Sequence, residues 1–116
     1  MERVTQKNVR WDVSVRDNDR ILSKECLELL KRGIGLKKEG NVEGALESYS
    51  TVIERIRQLE SPSDGVRKIL ANAHVLRGNA HQLNKNFSKA CSDYDKGKEI
   101  DPRSIRYVRQ EKRWDV

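Results

Sequence analysis

The chain has 116 residues, 36% of them charged and 35% apolar, with a formal net charge of +6. That length fits one domain burying somewhat over about 60% of its unfolded surface, and so thin an apolar share, with two Pro and seven Gly, suits helices with thin apolar stripes better than a sheet covered on both faces. No apolar run is long enough for a signal peptide or membrane span, and Cys26 and Cys91 make no disulfide framework, so a cytoplasmic setting is expected, with the nucleus as the alternative.

Residues 1–18 carry Val9, Trp11, Val13 and Val15 in strict alternation, which predicts an arm that is extended or partly disordered. From Asp19 the period changes. Ile21, Leu22, Cys26, Leu29, Leu30, Gly33 and Leu36 recur at three and four, predicting a helix that ends at Gly40. Asn41 caps a second helix striped by Val42, Ala45, Leu46, Tyr49, Val52, Ile53, Ile56 and Leu59.

The breaker cluster ESPSDG, residues 60–65, separates these from a third helix capped by Ser63 or Asp64. Val66, Ile69, Leu70, Ala73, Leu76, Ala80 and Leu83 make its stripe. After the turn NKN, Asn86 caps a fourth helix with Phe87, Ala90, Cys91, Tyr94 and Ile100. Asp101 followed by Pro102 starts a fifth, residues 103–116, whose Arg103, Arg106, Arg109, Lys112 and Arg113 hold much of the basic excess.

One arrangement is written twice. Ala45 and Ala90 each follow a glycine, Gly33 and Gly78, by twelve residues, and Tyr49 and Tyr94 follow four later. Asn41 and Asn86 stand at the same turn. Antiparallel helices approach closely only where both present small residues, with a large side chain wedged one turn along. A single hairpin cannot bury its own stripe, so such units stack.

These residues resemble the tetratricopeptide repeat family. Its small, small, aromatic and proline positions are met by Gly78, Ala90, Tyr94 and Pro102, within a family-like EIDP ending at residues 99–102. Gly33, Ala45 and Tyr49 meet three, and Arg57 stands where the proline would. The units lie 45 residues apart rather than the family's 34, an excess that a longer second helix and the 60–65 loop absorb. The resemblance implies an all-α fold, an α-α superhelix of two helix hairpins plus a C-terminal capping helix. Repeat one covers about 26–59, repeat two about 66–102 and the cap 103–116, the two-repeat domain being 19–102.

The resemblance also implies a concave groove lined by the first helix of each hairpin. Its positions fall on Leu27, Leu30, Ile34 and Lys37, then Asn72, Val75, Asn79 and Gln82, with Arg106, Arg109 and Arg113 extending it. An apolar floor with basic walls suits a partner's peptide or amphipathic helix, acidic at one end. The expected function is a non-enzymatic adaptor or co-chaperone-like scaffold. Two readings of the floor stay open: exposed to a partner, or covered by residues 1–20 folding back. The family's chaperone clamp of Lys and Asn does not transfer. Leu30, Ile34 and Leu76 occupy its places in the two repeats, Gln110 replaces its arginine, and Arg106 alone fits.

His74 and His81 lie two turns apart on one face, about 10.5 Å along the axis, too far to share one zinc. They read as packing residues, and no metal, cofactor, small-molecule substrate or catalytic constellation is expected. The tetrapeptide RWDV occurs at 10–13 and 113–116, with Trp11 and Trp114 as candidate anchors. Two repeats are fewer than the usual three, so completion by the arm, the last helix or a partner, self-association included, is expected. Residues 27–60 also resemble the three-helix microtubule-interacting and trafficking module, which binds helices of membrane-remodelling proteins; that alternative leaves Ala90, Tyr94 and Pro102 without a role. Nucleic-acid binding through the basic final helix is the other alternative, with only six aromatic residues to supply stacking.

Overall fold

The structure, a computed structural model, describes the backbone of residues 2–105 and the side chains of residues 19–104. The described residues are all-helical. Four α-helices follow one another: α1 Glu2–Lys38, α2 Val42–Arg57, α3 Asp64–Leu83 and α4 Phe87–Ile100, and a 3₁₀ turn Pro102–Ile105 closes the series. The three-helix alternative accounts for three of these four α-helices and leaves one over.

The chain punctuation works as its residues dictate. Gly40 takes a left-handed φ of +92° after α1, a conformation that costs a glycine little. The Asn41 side chain accepts a hydrogen bond from the Gly44 amide at 2.9 Å, satisfying one orphan donor of α2. Asn41→Ala is expected to lower stability by about 1 kcal/mol in urea titration. Ser63, rather than Asp64, caps α3, its Oγ accepting from the Val66 amide at 3.4 Å. Asn86 precedes α4 without a side-chain cap bond. Asp101 accepts from the Arg103 amide at 3.1 Å and so starts the turn at Pro102. Residues 106–116, most of the expected capping helix, lie outside the described residues, as does Trp114.

The first helix departs from expectation. It begins at Glu2, so the extended arm over residues 1–18 gives way to helix. No strand exists among the described residues to pair with an extended segment, so nothing favours extension over helix there. A helix already nucleated at 19–38 instead extends at one hydrogen bond per residue, and neither Gly nor Pro interrupts residues 1–32. The 37 residues of α1 rise about 55 Å, more than twice the length of α2. Such a continuous helix has no turn by which residues 1–20 could fold back over a groove.

The apolar core belongs to three helices. Cys26 and Leu30 of α1, Ala45, Tyr49, Val52, Ile53 and Ile56 of α2, and Val66, Ile69, Ala73, Leu76 and Ala80 of α3 form one cluster. Burial raises the Cys26 thiol pKa and suits it to this apolar place. At the α1–α2 crossing, a Cβ on Gly33 would lie 2.5 Å from the Tyr49 ring. The Tyr49 ring thus lies nearest to Gly33: the wedge itself fills the space the glycine opens. At the α3–α4 crossing, a Cβ on Gly78 would lie 2.8 Å from the Tyr94 ring and 3.1 Å from the Ala90 carbonyl. The longer second helix is present, since α2 reaches Arg57 whereas α4 stops before Asp101 and Pro102.

α4 is held differently. Its buried residues are Ala90, Asp93 and Gly97, which offer little apolar area. Close backbone approach and one carboxylate do the work that branched side chains do elsewhere.

Candidate functional site

The expected groove is only partly open. Leu27 is 45% exposed, and Ile34 and Lys37 are half-buried, but Leu30 is buried in the core. On α3, Asn72 is half-buried and Gln82 exposed, whereas Val75 and Asn79 are buried. Leu30, Val75 and Asn79 are therefore not available as lining. The reason is how α3 and α4 are seated. α3 packs against both α1 and α2, which closes the Leu30 side of α1. α4 approaches so closely that a Cβ on Gly97 would lie 2.7 Å from Val75. Asn79 turns into the same seam, where its Oδ1 accepts from the Tyr94 hydroxyl at 2.6 Å. Arg106, Arg109 and Arg113 lie outside the described residues.

What remains open runs along α1. Asp19, Arg20, Ser23, Lys24, Leu27, Glu28 and Lys31, with Ser63 at the start of α3, border a hollow of about 520 Å³. Arg20, Lys24 and Lys31 are exposed, and no ion pair ties them to a carboxylate among the described residues. Glu25, by contrast, faces α2 and pairs with Arg55 at 2.8 Å. Ile21, expected in the apolar stripe, is 59% exposed on another side of the helix. An uncovered leucine between cations can accept an apolar side chain and carboxylates together.

A second constellation escaped the sequence reading. Asp93 of α4 is buried, and Arg77 of α3 grips it twice, Nε to Oδ2 at 2.9 Å and Nη2 to Oδ1 at 2.8 Å. His74 Nδ1 lies 3.0 Å from Oδ1, and His81 Nε2 lies 3.7 Å from Oδ2. Arg77 also donates from Nη1 to Ser50 Oγ of α2 at 3.3 Å. The two histidines, His74 buried and His81 half-buried, thus also share a carboxylate. Burial alone would raise the Asp93 carboxyl pKa, but hydrogen bonds from His74 and Arg77 and the Arg77 charge outweigh it and hold the pKa below the usual value. Burial chiefly depresses the His81 pKa; Asp93 opposes this, while Arg77 and Lys89 add to it.

Ser50, Arg77, His81, Lys89, Ser92 and Asp93 border a second hollow of about 370 Å³. Its strongest cation is already committed to Asp93, so the arrangement is a joint between α2, α3 and α4 and not a free anion cradle. No cluster of three or more His, Cys, Asp or Glu side chains suited to a metal occurs among the described residues. No helix among them is long and apolar enough to cross a membrane. The chain gave no match to protein-family models, to curated proteins or to solved structures.

Proposed function

We propose that the chain is a non-enzymatic adaptor that docks a segment of another protein along the open face of α1, using tetratricopeptide-like hairpins as its frame. The observation that carries this reading is Leu27, 45% exposed between Lys24 and Lys31 at the mouth of the α1 hollow. Exposed apolar area rimmed by unpaired charge is the usual character of a contact surface. The internal repeat of Gly33 and Tyr49 as Gly78 and Tyr94 supports the frame, because both glycines receive the ring that follows them. The titratable groups that cluster, Asp93 with His74 and His81, are engaged with one another and leave the rigid joint, not the open hollow, as their place of action.

The test is a pulldown with Leu27→Glu and Lys31→Glu variants beside the wild type, each checked for helicity by circular dichroism. Loss of the captured partners with folding intact is the expected result, by at least about tenfold for the pair. A folded double variant that retains the same partners would remove this surface from consideration. Leu30→Glu is unsuitable as a probe, because it would drive a charge into the core.

A further inference from the structure

The docking face of α1 has a spacing that selects its occupant. Arg20, Lys24, Leu27, Lys31 and Ile34 follow one another at four, three, four and three residues, which puts them on one line along the helix. Arg20, Lys24, Leu27 and Lys31 are exposed and Ile34 is half-buried at the end of the line. We infer that, granted the adaptor reading, the partner segment is an acidic amphipathic α-helix of about four turns, packed lengthwise on this line.

Geometry separates a helix from an extended strand. Lys24, Leu27 and Lys31 step along the axis by about 4.5 Å and then about 6 Å. A helix carries side chains at these same alternating intervals and meshes with them at a shallow crossing angle. An extended peptide repeats one face every about 6.8 Å and falls out of register within a few residues. From Arg20 to Ile34 the line runs about 21 Å, which sets the length of the occupant.

Charge separates a helix from a polyanion. Asp19 and Glu28 also border the hollow. At about 100° per residue they stand about 80° to one side of Leu27 and about 100° to the other. A phosphate ladder or an anionic bilayer presents negative charge across the whole width and meets both carboxylates. A helix can set its glutamates on the cationic line and neutral side chains beside Asp19 and Glu28, so the two acids act against the wrong class of partner.

The experiment uses a fluorescein-labelled, end-blocked peptide of 16 residues with Leu and Glu in the same four-three spacing on an alanine-rich background. Its anisotropy is titrated with the full chain. The comparison probes are a peptide of equal composition interrupted by two prolines, a peptide with Glu replaced by Lys, a 16-nucleotide RNA, and phosphatidylserine-containing vesicles. The helical acidic peptide should bind, should gain helicity on binding, and should lose at least about tenfold in affinity with K24E/K31E. The Lys peptide should bind K24E/K31E better than wild type, a charge swap that a merely unfolded variant could not produce. Arg103→Glu, in the 3₁₀ turn, should change neither. If the proline peptide binds equally well and also depends on Leu27, the helix inference is overturned while the adaptor reading stands. If neither peptide binds, or RNA or vesicles bind more tightly through the same lysines, both are overturned.

Discussion

Replacing Asp93 with alanine is expected to lower the free energy of unfolding by about 3 kcal/mol, read as a lower urea midpoint at pH 7. The loss has two sources. Arg77 forfeits a bidentate partner, and His74 is left buried without the group its Nδ1 faces. α4 has little else to hold it, since beside Asp93 it buries only Ala90 and Gly97. Asp93→Asn should fall between wild type and alanine, because an amide keeps the shape and some hydrogen bonds but not the charge.

The same carboxylate makes stability depend on pH. Its pKa is lower folded than unfolded, so its contribution is complete above about 4 and disappears as pH falls through the folded value. His81 acts in the same direction at higher pH. Its folded pKa is also depressed, so below about 6.5 the unfolded chain takes up a proton that the folded chain resists, and stability declines. Urea midpoints should therefore fall on acidification in two stages. Asp93→Ala should flatten the more acidic stage relative to wild type. Equal midpoints for wild type and Asp93→Ala across the range would show that the joint carries no stability.

Gly33→Ala should cost about 2 kcal/mol even though alanine favours helix, because the new methyl would sit 2.5 Å from Tyr49 Cε1. The ring has nowhere to go, being wholly buried among the α1, α2 and α3 side chains. Tyr49→Ala should cost about 4 kcal/mol by removing the largest fully buried side chain among the described residues. The double variant should cost at least about 1 kcal/mol less than the two added together, since the methyl then enters space the ring has left. Strict additivity in urea titration would show that Gly33 and Tyr49 do not determine the crossing. Gly78→Ala should be costly for a further reason, as the Ala90 carbonyl that it meets is backbone and cannot swing aside.

Local chemistry made much of this fold legible. Gly40, Asn41 and Ser63 mark helix ends wherever they stand in a chain, because a left-handed φ or a side-chain cap is needed there. The recurrence of Gly33 and Tyr49 as Gly78 and Tyr94 marked both crossings, although which small residue met which ring was not readable from spacing. Residues 1–18 were misread because alternating valines carry a strand signal that has force only with a strand beside them. Leu30 was misplaced because its burial depends on where α3 settles against α1, a contact distant in sequence.

The Asp93 joint was hidden for another reason. His74 and His81 stand two turns apart on one face and read as packing residues, and Arg77 between them carries no sequence signal of its own. A signal did exist on the other helix: Asp93 falls three residues after Ala90 and four before Gly97, an acid inside a stripe of small buried residues. An acid in that position requires a cation opposite, and Arg77 is the one the crossing brings to it.

Arg77 reaches Ser50 on one neighbour and Asp93 on the other, so a single guanidinium fastens α3 to helices from both halves of the chain. Fraying of α4 would slacken the grip on α2 as well. Amide exchange should then release α2, α3 and α4 together as one cooperative block, with no stage in which the α3–α4 hairpin melts alone.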